Sequence, residues 1–191
     1  MLRCPSVNGR ATIREGGTRC EQQVWSLSTT MPDNPDRPRV YLETTIISYL
    51  TASPIRDLIQ AAHQQVTRDW WNRRDRFDLF VSEAVLEEAS RGDAEAAKRR
   101  SDALSGISVP GLEERVSDLA DRLLQVRAIP RKAVLDAIHI AVAALNGMDC
   151  LLTWNCTHIA NAAVRGKIER ACLDLGLEPP VICTPEELME I

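Results

Sequence analysis

From Arg39 onward, short runs rich in β-branched, aromatic and aliphatic residues alternate with stretches of helical periodicity, and any fold must accommodate that alternation. The strand candidates are Val40-Tyr41-Leu42, Leu79-Phe80-Val81, Ile107-Ser108-Val109, Cys150-Leu151-Leu152-Thr153 and Val181-Ile182-Cys183. Strands separated by helices do not close as hairpins. The short route between them is the βαβ crossover, which lays strands parallel and covers the sheet with helices. The expected class is α/β, with a short, mostly parallel central sheet.

The helical stretches are read in the same way. Thr44 and Thr45 supply N-cap chemistry for a short helix around Ile46 to Leu50. Ile55, Leu58, Ile59, Ala62, Val66 and Trp70 fall at helical spacing and predict one stripe facing a core. A helix begins near Ser82 and stops at Gly92, and a mainly polar one runs from Ala94 to Leu104. Leu112, Val116, Leu119, Leu123 and Val126 mark another, closed by Pro130. Residues 131–146 are apolar on nearly every face, which predicts a buried helix. A further helix is expected over 158–175, and a terminal turn of helix over Pro185 to Met189.

Residues 1–38 differ from the rest: Gly9, Gly16, Gly17, Pro32, Pro35 and Pro38 interrupt every periodic pattern. This stretch is expected to be disordered or loosely attached, with the domain proper over 39–191 and Met31 as an alternative start. With 45% hydrophobic and 26% charged residues, the chain has the balance of a globular protein with one core. A net charge of −4 argues against a broad basic surface, so contact with nucleic acid must be local. Cys4, Cys20, Cys150, Cys156, Cys172 and Cys183 form no CxxC pair and read as reduced thiols of a cytoplasmic protein. No apolar run approaches the roughly 20 residues that span a bilayer.

Several polar residues sit where the strand and helix pattern does not explain them. Asp136 lies inside the apolar helix, where an unpaired carboxylate costs several kcal/mol or becomes neutral. Glu43 directly follows the first strand, at the carboxyl end where parallel sheets build ligand crevices. Glu87 and Glu88 stand in the helix after the second strand, and Asn155 lies two residues past the strand ending at Thr153. If these junctions are neighbours, Glu43, Glu88, Asp136 and Asn155 line one acidic pocket whose charges call for a divalent cation. Hard oxygen donors suit Mg²⁺ or Mn²⁺, which would activate water for attack on a phosphodiester.

Plainer readings compete. Glu43 suits a helix N-terminus, Glu87 and Glu88 a solvated face, and Asp136 an ion pair with Arg131 or Lys132. His139 and His158 raise a second metal reading, since Asp136 and His139, at i and i+3, share a face that suits zinc, whereas a hydrogen-bonded core His139 is the simpler reading. His63 reads as a surface residue. Trp154 suits stacking on bases, whereas Trp70 falls on the apolar stripe and reads as core.

The segments VYLETTIISYL at 40–50, FVSEAVLEEASRGD at 80–93, LDAIHIAVA at 135–143 and LLTWNCTHIAN at 151–161, taken in this order, resemble the PIN-domain family, specifically VapC-like toxins of type II toxin–antitoxin pairs. The likeness spans about residues 39–191. It implies a three-layer α/β/α sandwich, acidic residues at the carboxyl edge of the sheet and Mg²⁺- or Mn²⁺-dependent endoribonuclease activity on RNA. It also implies a homodimer and inhibition by a cognate antitoxin. Carried over residue by residue, the acidic positions fall on Glu43, on Glu88 with Glu87 as the alternative, on Asp136 and on Asn155. Two positions depart from the family pattern. Glu43 stands where Asp is more usual and is one methylene longer, while Asn155 keeps a carbonyl oxygen but lacks the fourth negative charge.

Overall fold

The computed structural model describes residues 37–111 and 114–189, so the reading of residues 1–36 as a loose extension falls outside the described residues. Four strands form one sheet: β1 (Arg39–Leu42), β2 (Asp78–Phe80), β3 (Cys150–Leu152) and β4 (Val181–Cys183). Their order is β2-β1-β3-β4, and every pairing is parallel. β1 is therefore a central strand, which is why Val40, Tyr41 and Leu42 read as an unbroken apolar run and are fully buried. The expected strand at 107–109 contributes only a bridge between Ser108 and Phe80 at the sheet edge.

Among the described residues, seven α-helices flank the sheet. They are α1 (Thr44–Thr51), α2 (Leu58–Trp71), α3 (Glu83–Ser90), α4 (Ala94–Leu104), α5 (Val116–Gln125), α6 (Val134–Leu145) and α7 (Ala162–Leu173). Contacts divide them into two groups, with α1 touching α2, α3 and α4, and α5 touching α6 and α7. Side-chain caps set several starts: Ser82 accepts from Val85 N, Asp93 from Ala96 N and Asn161 from Ala163 N. No helix among the described residues is long and apolar enough to cross a membrane. Among the described cysteines, Cys150, Cys156, Cys172 and Cys183 are free thiols.

Some expectations need correction. The stripe assigned to α2 holds at Trp70, which is buried as expected, but not at its start: Leu58 and Ile59 are 86% and 69% exposed, while the polar Gln64 and Thr67 are buried. Gln64 and Thr67 make their hydrogen bonds inside the protein, whereas Trp70 Nε1 is buried with no partner among the described residues. Gln64 Nε2 donates to Ala52 O at 2.8 Å and more distantly to Tyr49 O and Ser53 O, closing the carboxyl end of α1. Thr67 Oγ1 donates to His63 O and accepts from Trp154 Nε1. Such bonds make a polar face admissible in a core, which a reading based on hydropathy alone misses.

The helix at 131–146 is shorter than expected, and its first turn is open, with Val134 46% and Leu135 37% exposed. The preceding helix ends at Gln125, before Pro130, and the chain reverses through Arg127 at φ 54, with Ala128 N and Ile129 N both bonding Leu123 O. The segment expected as a helix from residue 158 starts only at Ala162. Residues 185–189 form a turn rather than a helix, held by Glu187 Oε2, which accepts from Thr184 N.

The polar buried face of α2 gives a direct test. Gln64→Leu removes the Nε2 donor from the carbonyls at the end of α1, leaving Ala52 O only the longer bond from Arg68, and is expected to lower stability by about 1–3 kcal/mol in urea unfolding. Leu58→Ser is expected to change it by less than about 0.5 kcal/mol. The opposite ranking would restore the apolar stripe as the packed face.

Candidate functional site

Because the strands are parallel and in register, their carboxyl ends share one edge. The ladder continues one residue past the strands: Glu43 N donates to Leu152 O and Thr153 N to Cys183 O, both at 3.0 Å. Glu43 and Thr153 therefore emerge side by side, where β1 turns into α1 and β3 into its following loop.

Glu43 is only 5% exposed and is the N-cap of α1. Its Oε2 accepts from Thr45 N at 3.1 Å, from Thr153 Oγ1 at 2.8 Å and from Thr45 Oγ1. The two hydroxyls are themselves fixed, since Trp154 N donates to Thr45 Oγ1 and Asn155 N to Thr153 Oγ1, each at 2.9 Å. Three donors, one of them a backbone N–H at the helix N-terminus, satisfy this oxygen of the buried carboxylate. The sequence suggested Thr44 and Thr45 as caps, but Glu43 itself has that role.

Glu88 and Glu87 face different ways. Glu87 is 69% exposed and pairs with Arg91 on the solvent side. Glu88 turns inward, where its Oε2 accepts from Thr44 Oγ1 and from His139 Nε2, the latter at 3.1 Å. With Nε2 donating, His139 Nδ1 is left to accept from the Tyr41 hydroxyl at 2.8 Å, and the Tyr41 oxygen accepts from Ser82 Oγ at 2.7 Å. Burial first, with the nearby Glu43 and Glu88 charges, raises the Tyr41 hydroxyl pKa above its ordinary value and keeps the phenol protonated. The hydrogen bond from His139 is the main cause that lowers the Glu88 carboxyl pKa, with Thr44 and Arg91 also contributing.

Asp136 sits in the first turn of α6, partly exposed, and its Oδ2 meets His158 Nδ1 at 2.7 Å. Its partner is this histidine rather than Arg131 or Lys132. Asn155 Oδ1 accepts from His158 N at 3.1 Å and so shapes the loop that presents the imidazole. Both His139 nitrogens are used by Tyr41 and Glu88, which removes His139 from the zinc alternative.

Glu43, Glu88, Asp136 and Asn155 thus lie on one circuit. It runs from Glu43 along the chain to Thr44, then through Glu88 and His139, along α6 to Asp136, and back through His158, Asn155 and Thr153 to Glu43. Tyr41, Thr44, Thr45, Thr153 and His158 were not singled out in sequence as positioning residues. Two signals were available: the Thr-Thr pair directly after Glu43, and the Asn155-x-x-His158 spacing that suits a side-chain cap.

No three His, Cys, Asp or Glu side chains among the described residues stand close enough to hold a metal ion by themselves. The donor chemistry still fits a hydrated divalent cation. The hydrogen bonds to Glu43, Glu88 and Asp136 all land on one carboxylate oxygen of each, and the other oxygen takes none from the described residues. Mg²⁺ commonly binds through one or two carboxylates and keeps several waters. Trp154, considered for stacking on bases, instead stacks on His63 at 4.0 Å between ring centroids, so His63 is a packed residue rather than a surface one.

No family model matches the sequence, and no curated protein matches it. A solved structure does match in fold: the crystal structure of VapBC2 from Rickettsia felis bound to a DNA fragment from their promoter. The superposition has a TM-score of 0.51 and 13% identity, and covers 76% of this chain and 98% of that one. The fold of this chain is PIN-like, as the four sequence segments implied.

The lowered Glu88 pKa sets a sign. A carboxyl group whose folded pKa lies below its ordinary 4.5 contributes stability that is full above that value and is lost as pH falls through the folded pKa. In chelator-containing buffer over about pH 3 to 7, wild type is expected to exceed Glu88→Gln in urea stability at neutral pH, with the gap closing in acid. A gap independent of pH would show that the Glu88 charge is not what His139 stabilises.

Proposed function

We propose that this chain is a Mg²⁺- or Mn²⁺-dependent endoribonuclease that hydrolyses RNA phosphodiester bonds, acting in the cytoplasm as the toxin of a type II toxin–antitoxin pair. The observation that carries this reading is the arrangement of three carboxylates at the carboxyl edge of a PIN-like sheet, each anchored through a single oxygen. The R. felis structure supports the pairing with an antitoxin, since it contains a VapBC2 complex, and a homodimer is the assembly proposed here.

Glu43 and Asp136 would hold the cation, with Glu88 completing the acidic wall. When bound, the divalent ion supplies a polarised phosphate and a more acidic water. Thr45 and Thr153 keep the Glu43 carboxylate in one orientation, so little reorganisation is needed when charge develops at the phosphate. His139 and Thr44 do the same for Glu88. Asn155 acts as a positioning residue: its amide oxygen is used on His158 N, and it adds no charge. Glu87, paired with Arg91 on the solvent side, takes no part.

A second reading is a catalytically weak scaffold that works by binding an antitoxin, RNA or a second copy. The Asn155 amide favours it, because the fourth acidic position brings the cation no negative charge and its oxygen already accepts from His158 N.

Cleavage of mixed RNAs by the purified chain with Mn²⁺ or Mg²⁺ separates the two. Losing an outer-shell partner costs such sites 10–100-fold, so Asp136→Asn and Glu43→Gln are each expected to lose on the order of 100-fold or more. Chelation is expected to abolish cleavage. Equal rates in wild type and Asp136→Asn would remove Asp136 from the reaction, and an inert wild type would leave the scaffold.

A further inference from the structure

Beside the acidic circuit lies a groove of about 630 Å³ lined by Arg127, Arg131, Thr157, His158, Asn161 and Val164, among others. Its size falls in the range that accepts a small organic ligand, which is room for a nucleotide or two of an extended strand. One wall is the α5–α6 connection, the other the start of α7 and its preceding loop. His158 belongs to both groove and circuit, since its Nδ1 holds Asp136.

Arg127 and Arg131 are exposed, and neither forms an ion pair with a described residue. Arg127 is also held in place. It is the only described non-glycine residue in the left-handed region, with the next two amides tied to Leu123 O and its own carbonyl accepting from Lys167 Nζ at 3.4 Å. Two guanidinium groups without carboxylate partners among the described residues thus line one groove, in a chain of net charge −4.

We propose that this groove binds the phosphate backbone of single-stranded RNA next to the bond to be cut, with Arg127 and Arg131 each contacting a phosphate. The assignment rests on the nuclease reading for its substrate. It answers the question that the acidic composition raises, because it places the phosphate contact locally, against the carboxylates. Thr157 and Asn161 add neutral hydrogen-bonding groups along the same wall, and Val164 gives the ribose or base an apolar surface.

The test measures binding, not cleavage. Fluorescence anisotropy of a labelled single-stranded RNA is read with the full chain in excess chelator, so that metal-dependent cleavage is off, over a series of salt concentrations. Arg127→Gln with Arg131→Gln is expected to weaken binding about 10-fold and to lower the slope of log affinity against log salt by about 0.7 for each arginine. Arg76→Gln, at an exposed arginine outside the groove, is expected to bind like wild type with the same melting temperature. Binding by the double variant equal to wild type, or an equal loss in Arg76→Gln, would overturn the groove assignment, as would tighter binding of a DNA duplex of the same length. A chain that cleaves no RNA but loses RNA affinity in the double variant would keep the groove and discard the nuclease reading. A chain that cleaves with unchanged kcat/KM in the double variant would do the reverse.

Discussion

The structure around the site depends on how one buried carboxylate is supplied with hydrogen-bond donors. Glu43 leaves the central strand at the point where the ladder ends and α1 begins, so its side chain has nowhere to go but the interior edge. A carboxylate there is tolerable only with strong donors. Thr45 and Thr153 provide them, one from the helix Glu43 caps and the other from the neighbouring strand's end. The same contacts therefore fix the start of α1, the exit of β3 and the orientation of a potential ligand. Removing the carboxylate would disturb both fold and chemistry, which is why Glu43→Gln, which keeps the shape, is the informative substitution.

Much of this was legible in the residues. The central strand reads directly from Val40-Tyr41-Leu42, because a strand covered on both faces has no polar alternation. The four candidate positions stand out because an acid inside an apolar helix, and acids and an amide just beyond strands, are not explained by packing. Their partners were less visible. Tyr41 and His139 look like ordinary core residues, and only the parallel register of β1 and the packing of α6 bring them to Glu88. The partner of Asp136 was misjudged because nearby Arg131 and Lys132 are closer in sequence than His158, which comes from the loop after β3. The α2 stripe failed at its start for a different reason. Hydrophobic periodicity assumes that polar groups seek water, whereas Gln64 and Thr67 are buried with their hydrogen bonds made inside the protein.

The two departures from the family pattern have different structural consequences. The longer Glu43 side chain is accommodated because Oε2 turns back onto Thr45, a contact that helps cap α1. Asn155 turns its amide oxygen to His158 N, so the position organises a loop instead of adding charge. The site is thus built less from a ring of bare acids than from three acids stiffened by threonines and histidines. His158 joins this acidic half to the arginine-lined groove, which places positive and negative surfaces side by side in an acidic chain.

On the proposed reading, the second oxygens of the Glu43 and Asp136 carboxylates bind a divalent cation. Titration of the purified chain with Mn²⁺, followed by loss of the free-ion electron paramagnetic resonance signal, tests it without reference to any substrate. Saturable binding of one or two ions per chain, severely weakened when Asp136 or Glu43 is made an amide, is the predicted result. Wild-type protein that leaves the Mn²⁺ signal undiminished, or that binds equally well with both carboxylates replaced, would contradict the account.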